Sequence, residues 1–456
     1  MSKDKKTGPG AEASGQQGGE RQEHKPNWKE YWATVEDIEQ FLGDHVLLRH
    51  NVVTRRVECR ILESDLFADW MAEGLPTGTW LPLSDRIVNT LWRGLSATKK
   101  VRAQDIYRLV ESDFAPDYHP FAYYLEHLPP WDGDDHILAM SVSVGVKGEV
   151  ADQMLFAQYL KKWLVGMVAG WVDETVVNNV ILVLIGEQGS YKTTWFNYVL
   201  PPELRPYFYT KTNASRMGRD DLLTLAQYGL VCCEELDTMR PSELNQLKAA
   251  VTMPTIDERA AYAHFHEHRP HIASFCGTGN NLQFLSDPTG SRRWLPFEVE
   301  SIDSPRDHPF VYANIDAQAD ALYRQGFQYW FSKAEIDRLS EHNRQFETPH
   351  IERELISERF RLPQPGEKGE FVTSAHILQA ISGNLVQKIS ANQVGRAMSD
   401  LGFQRMRSCK ERGYIVVPYS AEEIKARQRM KACVAKPDTG GGCDTNDTND
   451  ANDTIF

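Results

Sequence analysis

The alternation of apolar and polar residues first separates the two ends of the chain from its interior. Residues 1–27 consist mainly of Gly, Gln, Lys and Glu without an apolar period, and residues 432–456 include a repeated Asp-Thr-Asn-Asp tract. Neither stretch has enough apolar residues to bury a core, so both are predicted to be disordered. Order is expected to begin near Trp28.

Residues 28–150 have the pattern of an α-rich domain that contains one β-hairpin. Thr34-Val35-Glu36-Asp37 resembles a capping box at the start of a short helix. In residues 46–61, apolar and polar residues alternate on both sides of a turn, as they do in a β-hairpin. In residues 65–128 the apolar residues mostly recur with the period of a helix. This part of the chain is therefore expected to be mixed, with helices predominating.

Three continuous apolar runs occur in the middle of the chain, at Val180 to Ile185, Leu230 to Cys233 and Ile272 to Cys276. Short runs without alternation are typical of strands that are buried on both faces, as in a parallel sheet. Helical patterns separate the runs. Strands that alternate with helices predict an α/β domain with a mostly parallel sheet, here over residues 151–350.

Charge and cysteine content narrow the class of protein. The net charge of -13 means that any contact with nucleic acid must come from a local basic surface. The seven cysteines form no C-x-x-C pair, which predicts reduced thiols. The most apolar helix-like stretch, Trp163 to Trp171, is too short to span a bilayer. We therefore expect a cytoplasmic protein that has no membrane partner.

A glycine-containing loop directly follows the first apolar run. It comprises Gly186, Glu187, Gln188, Gly189, Ser190, Tyr191, Lys192, Thr193 and Thr194. A strand, such a loop and a helix form the context of a phosphate-binding loop, in which backbone N–H groups face the phosphates. Lys192 would neutralise the β and γ phosphates of ATP, and Thr193 would place its hydroxyl on Mg²⁺. Tyr191 departs from the usual pattern, which has glycine there, and the alternative is a turn with a solvated lysine.

Polar residues also follow the other two runs. Glu234 is predicted to hold Mg²⁺, and Glu235 to orient the attacking water, unless the pair is an ordinary exposed acidic loop. Asn280 is the candidate contact to the γ-phosphate or the water, with Asn281 as the competing choice. Arg292 and Arg293 are either a solvated pair or the source of an arginine finger that stabilises phosphoryl charge, and we prefer Arg292.

The order of these motifs resembles the virulence-associated protein E family, whose ATPase domain is similar to superfamily 3 helicases of the AAA+ class. The segments that carry the resemblance are GEQGSYKTTWF (186–196), LVCCEELD (230–237), LNQLKAAVT (244–252), DERAAYAHF (257–265), FCGTGN (275–280) and DPTGSRRW (287–294). The resemblance extends over about residues 105–335. It implies a central P-loop AAA+-like domain.

The resemblance further implies a homo-oligomeric ring, often a hexamer, that serves DNA replication in phages and other bacterial mobile elements. The arginine finger would then act in the neighbouring subunit's site. The stretch between Lys248 and His268, before the third strand, would form a hairpin that faces single-stranded DNA, with contacts from Lys248, Arg259, Tyr262, His264 and His266. Alternatively, these residues are surface groups without a ligand. The ordered region upstream is too short for a primase domain, which is expected to be absent.

The last ordered segment, residues 370–431, differs from the rest in charge. Ten basic and four acidic residues lie between Phe371 and Lys431. Two predicted helices and a basic hairpin resemble a winged helix that binds DNA. Its contacts would be Asn392 and Arg396 on the recognition helix, and Arg407, Lys410 and Arg412 on the wing. The alternative is a protein-docking domain with a solvated basic face.

These observations together predict an ATP- and Mg²⁺-dependent DNA helicase or translocase. An alternative is an ATP-gated DNA-binding regulator that hydrolyses ATP slowly and unwinds nothing. A third is a structural DNA-binding adaptor whose Tyr191 loop binds no ATP.

Overall fold

The computed structural model describes residues 32–72, 74, 78–211, 219–258, 267–285, 288–348, 351–382, 389–407 and 411–434. The chain splits into two compact units, Met1–Glu347 and Thr348–Phe456. The predicted leader lies outside the described residues, as does the predicted tail apart from residues 432–434, which end a helix. The finer domain boundaries at residues 150 and 370 stay predictions.

The first unit begins with a small α+β part. Its elements are α1 (Val35–His45), β1 (Val46–Asn51), β2 (Arg56–Ile61), α2 (Ala68–Ala72), β3 (Trp80–Pro82), α3 (Asp85–Ser96), α4 (Ala103–Val110) and β4 (Asp117–Tyr118). The predicted capping box at Thr34 and Asp37 is confirmed, and so is the hairpin, in which Val46 pairs with Ile61. Strands β3 and β4 extend the hairpin into a four-stranded sheet of order β3-β2-β1-β4.

The rest of the first unit is built around a larger sheet. Its elements are α5 (Pro120–Glu126), α6 (His136–Ser141), β5 (Val144–Val146), α7 (Val150–Val172), β6 (Ile181–Ile185), α8 (Lys192–Val199), β7 (Phe208–Lys211), α9 (Arg219–Gln227), β8 (Leu230–Cys233), α10 (Pro241–Val251), β9 (Thr255–Glu258), β10 (Glu267–Pro270), β11 (Ser274–Gly279), β12 (Trp294–Ile302), α11 (Tyr312–Arg324) and α12 (Lys333–Asn343).

The central sheet has the order β5-β12-β6-β11-β8-β7. All neighbours from β12 to β7 run parallel, and only the edge strand β5 is antiparallel to its neighbour. The predicted α/β class with a mostly parallel sheet is therefore confirmed. The three predicted strands are β6, β8 and β11, although β11 extends three residues further, to Gly279. Strands β5, β7 and β12 were not predicted. Strand β5 has only three residues, β7 is half-exposed, and Pro296 interrupts the β-pattern of β12.

Apolar side chains cover both faces of this sheet. Helix α7 packs against one face, and its residues 163–171 are buried all round, which explains why they show no polar stripe. Helix α10 contributes Leu244, Leu247 and Val251 to the core on the other face. The carboxyl ends of the parallel strands are thereby held at one edge by two independent hydrophobic layers.

The second unit has its own hydrophobic core. Its elements are α13 (Ile351–Arg359), β13 (Phe360–Arg361), β14 (Glu370–Thr373), α14 (Ser374–Ile381), α15 (Ala391–Asp400), β15 (Arg405–Arg407), β16 (Arg412–Pro418) and α16 (Ala421–Val434). The two predicted helices and the hairpin are confirmed as elements, with α15 capped by Ser390. Strand β14 pairs with β16, which the sequence pattern did not predict.

Candidate functional site

The loop between β6 and α8 has a path that two glycines permit. Strand β6 is buried along its whole length and ends at Ile185. A Cβ on Gly186 would lie 2.8 Å from a methyl carbon of Val299 and 2.9 Å from its carbonyl oxygen, so no side chain fits there. Gly189 has φ +86°, a conformation that costs other residues free energy. The loop therefore crosses the sheet edge with its backbone close to β12.

Tyr191 adopts a left-handed backbone conformation, with φ +60° and ψ +10°, immediately before α8. A residue with a Cβ pays about 1–2 kcal/mol for this conformation. The loop thus keeps a backbone path that suits glycine although the residue is tyrosine. The side chain of Tyr191 is 47% exposed at the rim of the site.

The ammonium group of Lys192 lies inside the loop. It donates hydrogen bonds to the carbonyl oxygens of Gly186 (2.8 Å) and Glu187 (2.6 Å) and to the hydroxyl of Ser190 (3.2 Å). Burial lowers the pKa of Lys192 below the usual lysine value, and the carboxylate of Asp237 opposes this shift. The carbonyl oxygens of the loop therefore hold a cation inside it.

The next residue, Thr193, reaches across to β8. Its hydroxyl donates a hydrogen bond of 2.9 Å to a carboxylate oxygen of Glu234, which directly follows the last residue of β8. Glu235 comes next with φ +53° and ψ +46°, again a left-handed conformation for a residue with a Cβ. This backbone turns the chain sharply into a short 3₁₀ segment, Leu236–Thr238.

The segment after β11 is fixed by Asp237. The Asp237 carboxylate accepts hydrogen bonds from the N–H of Asn280 (3.3 Å) and from the N–H of Asn281 (3.2 Å). The side-chain amide of Asn281 also donates to it, at 2.6 Å. The amide of Asn281 is thus engaged, whereas Asn280 lines the cavity described next.

The loop before α8, the residues after β8 and the end of β11 line one open cavity of about 400 Å³. It is lined by Gln188, Gly189, Ser190, Tyr191, Lys192, Thr193, Thr194, Glu234, Glu235, Thr278, Gly279 and Asn280. Of these, Lys192, Glu234 and Glu235 carry charge. An ammonium group, a helix N-terminus and a hydroxyl–carboxylate pair in one cavity can bind an anion together with a divalent cation.

Of the predicted site residues that the structure describes, the others do not line this cavity. Arg292 and Arg293 end a 3₁₀ segment before β12, and Arg292 is exposed. Lys248 is 6% exposed on α10. Arg259, Tyr262, His264 and His266 lie outside the described residues, and so does Lys410. In the second unit, the side chains of Asn392, Arg396, Arg407 and Arg412 are exposed.

Sequence reasoning missed Asp237 as a part of the site, and it missed Thr278 and Gly279 in the lining. Asp237 was visible in the motif LVCCEELD, two residues beyond Glu235. Nothing local distinguishes it from a surface acid, because its partners are 43 and 44 residues away in the chain. Its role follows only from the contact between the ends of β8 and β11.

The donor set at Thr193 and Glu234 fits Mg²⁺, which prefers hard oxygen ligands and commonly uses one or two protein groups alongside phosphate oxygens and water. No cluster of three or more His, Cys, Asp or Glu side chains with metal-binding geometry occurs within the ranges that the structure describes. No helix in those ranges is long and apolar enough to cross a membrane.

Residues 125–348 match the virulence-associated protein E-like domain, which confirms the family resemblance of the motifs in that part of the chain. Among solved structures, the chain is similar to one described as "The apo structure of NrS-1 C terminal region (305-718)", with TM-score 0.44 and 11% identity over 83% of this chain and 98% of that one. It is also similar to "The A form apo structure of NrS-1 C terminal region-CTR(305-718)", with TM-score 0.40, 11% identity and the same coverage. No curated protein matches the chain.

Proposed function

We propose that this protein is an ATPase whose cavity takes ATP with Mg²⁺, and that it acts on DNA as a helicase- or translocase-like motor in the replication of a phage or other mobile element. The observation that carries the proposal is the Thr193–Glu234 hydrogen bond of 2.9 Å beside the buried ammonium of Lys192. A P-loop NTPase needs these three groups together, because the phosphates and their metal ion meet there.

The loop and the start of α8 support phosphate binding. Helix α8 begins at Lys192, so its first N–H groups and its dipole face the cavity. On ATP binding, the ammonium of Lys192 would exchange its contacts with the loop carbonyls for the β- and γ-phosphate oxygens. Those carbonyl contacts hold it 2.6–2.8 Å from the loop backbone until then.

Thr193 and Glu234 are the groups that would hold Mg²⁺ in this site. When bound, the ion would neutralise phosphate charge and so favour displacement at the γ-phosphorus. Glu235 is placed by its strained backbone next to Glu234, and we assign it the task of orienting and polarising the attacking water. Asn280, on the neighbouring strand end, would donate a hydrogen bond to the γ-phosphate or to that water.

The charge of the cavity supports a contribution from a second copy of the chain. The negative charges of Glu234 and Glu235 outweigh the positive charge of Lys192, so the lining alone does not neutralise the charge of a triphosphate. Arg292 is exposed and outside the cavity of its own chain. We therefore propose that Arg292, with Arg293 as the alternative, completes a neighbour's site in a ring, which the family resemblance suggests is a hexamer.

The DNA contacts are proposed in two places. In the first unit, Arg259, Tyr262 and His264 precede β11 and would face single-stranded DNA, with Lys248 nearby in sequence but buried in α10. In the second unit, exposed Asn392 and Arg396 on α15 and Arg407 and Arg412 on the hairpin would form a winged-helix-like surface, completed by Lys410. Exposed arginine side chains on a helix and a hairpin can donate hydrogen bonds to the phosphate oxygens of DNA.

The test is steady-state ATP hydrolysis by the full chain with and without single-stranded DNA, followed by a strand-displacement assay. Lys192→Ala is expected to lose hydrolysis, whereas Lys333→Ala, an exposed lysine on α12, should retain it. A Lys192→Ala protein with full activity would overturn the proposal. Hydrolysis that is indifferent to DNA, without displacement, would replace the motor by an ATP-gated regulator. If the protein bound no nucleotide at all, the remaining interpretation would be a structural DNA-binding adaptor.

A further inference from the structure

We infer that Asp237 is a positioning residue for hydrolysis, which holds the end of β11 so that Asn280 faces the cavity while Asn281 is kept out of it. This inference rests on the proposed ATPase function. It concerns a residue that does not line the cavity itself, and it assigns different tasks to two adjacent asparagines.

The hydrogen bonds of Asp237 are divided between its two oxygens. Oδ1 accepts from the backbone N–H of Asn280, at 3.3 Å. Oδ2 accepts from both the backbone N–H and the side-chain Nδ2 of Asn281, at 3.2 and 2.6 Å. One carboxylate thus fixes two successive peptide units and one side chain. A carboxylate suits this task because both of its oxygens accept, whereas an amide offers only one acceptor.

Two glycines of β11 make room for the segment that carries Asp237. A Cβ on Gly277 would lie 2.3 Å from a methyl carbon of Leu236, and a Cβ on Gly279 would lie 3.3 Å from Oδ1 of Asp237. Residues 277 and 279 share one face of the strand because side chains alternate. The 3₁₀ segment therefore lies directly on that face, which sets the position of Asp237 relative to the end of β11.

The same segment connects the acidic residues to the end of β11. Glu235 lies directly before Leu236, so the 3₁₀ segment joins the residue assigned to the attacking water to the hydrogen bond that fixes the Asn280 backbone. Burial lowers the pKa of Lys192, and the negative charge of Asp237 partly opposes that shift. Asp237 connects the segment after β8 to the end of β11 through its hydrogen bonds.

From this placement we expect a defect in turnover and not in binding. Without Asp237, Asn280 loses its fixed backbone and Asn281 gains a free amide. Lys192 keeps its hydrogen bonds to the loop, and Thr193 keeps its hydrogen bond to Glu234, so the groups that would hold the phosphates and Mg²⁺ stay in place. Misplacing a group that contacts the reacting atoms commonly lowers kcat by about 10²-fold.

The experiment measures kcat, KM and the Kd of a non-hydrolysable ATP analogue for full-length Asp237→Ala, Asn280→Ala, Asn281→Ala and the Asp237→Ala/Asn280→Ala double variant. Asp337→Ala, an exposed aspartate on α12, is the matched control. We expect Asp237→Ala and Asn280→Ala to lower kcat to a similar extent, about 10- to 100-fold. Both should leave analogue binding within about threefold of wild type. The double variant should be no slower than the slower single variant, because both changes remove one function.

Gly279→Ala provides a variant that removes no functional group. Its Cβ would press on Oδ1 of Asp237, so we expect kcat to fall while the thermal unfolding midpoint stays near that of wild type. Asn281→Ala should lower kcat the least of these variants.

Multiplicative losses in the double variant would overturn the inference, as would wild-type kcat in Asp237→Ala. These outcomes leave the proposed ATPase intact, provided that Lys192→Ala is inactive. Absence of analogue binding by the wild-type protein would instead refute the ATPase proposal itself. Lost analogue binding and a lowered midpoint in Asp237→Ala would show a purely structural role.

Discussion

The hydroxyl of Thr193 lies 2.9 Å from a carboxylate oxygen of Glu234, although 41 residues separate the two in the chain. The contact follows from the strand order. Thr193 follows β6 and Glu234 follows β8, and β11 runs parallel between them, so all three strands end at the same edge of the sheet. Two oxygen groups with an affinity for hard cations thereby meet beside a buried ammonium.

This pair predicts how the protein depends on magnesium. Thr193→Ala and Glu234→Ala should each raise the Mg²⁺ concentration needed for half-maximal ATP hydrolysis by about 10- to 100-fold, since each removes an oxygen that we expect at the ion. A magnesium titration at fixed ATP measures this value. Thr194→Ala serves as the neighbouring control and should shift it far less. Equal Mg²⁺ dependence in all three variants would contradict the assignment.

The left-handed backbone of Tyr191 predicts an ordering of two substitutions. Tyr191→Ala and Tyr191→Gly both remove the ring, but only glycine adopts φ +60° without strain. Relief of that strain is worth about 1–2 kcal/mol, partly offset by the greater entropy of glycine in the unfolded chain. The glycine variant should therefore unfold at a higher denaturant concentration than the alanine variant. Equal midpoints would show that the loop is free to relax.

Burial of Asp316 predicts a pH-dependent stability. Its carboxylate accepts a hydrogen bond of 2.8 Å from the hydroxyl of Tyr124, and burial, the largest effect, raises its pKa from 3.8 to about 7. Because the folded pKa lies above the unfolded one, the stabilising contribution is complete below about pH 4. It is lost as the pH rises to about 7, at up to about 1.4 kcal/mol per pH unit.

Asp316→Asn removes this titration and retains an acceptor for Tyr124. We expect the free energy of unfolding to fall less between pH 4 and 7 in Asp316→Asn than in wild type. Subtracting the two curves cancels the contributions of all other groups. Parallel curves for the two proteins would show that Asp316 ionises normally.

The hairpin of the second unit places two arginines directly opposite each other. Arg407 pairs with Arg412 across β15 and β16, and within the described ranges no acidic group forms an ion pair with either. Like charges in register destabilise a hairpin, so an anionic ligand would relieve the repulsion. Arg407→Ala/Arg412→Ala should weaken duplex DNA binding for all sequences and reduce the slope of log K against log salt by about 2.

A variant that loses two exposed basic residues elsewhere, Lys333→Ala/Arg338→Ala on α12, is the control for the change in net charge. It should leave the salt slope unchanged. The hairpin variant should be at least as stable as wild type, because a repulsion has been removed. If the two variants lowered the slope equally, the effect would be one of net charge and not of the hairpin.

The sequence by itself determined the local elements of this protein. Continuous apolar runs predicted β6, β8 and β11, and the capping patterns at Thr34 and Ser390 predicted where helices begin. These features depend on neighbours a few residues apart, so the pattern along the chain contains them. The loop that contains Lys192 and the acids that follow β8 were recognisable for the same reason.

Only the tertiary structure decided which of these groups meet. The assignment of Thr193 and Glu234 to one Mg²⁺ predicted that these residues meet, but strand order is a long-range property, so their direct hydrogen bond and the engagement of Asn281 by Asp237 could not be predicted from local pattern. The same applies to Lys248, whose burial results from packing around α10. A pattern specifies which face of an element is apolar, but the free energy of packing all elements together selects their neighbours.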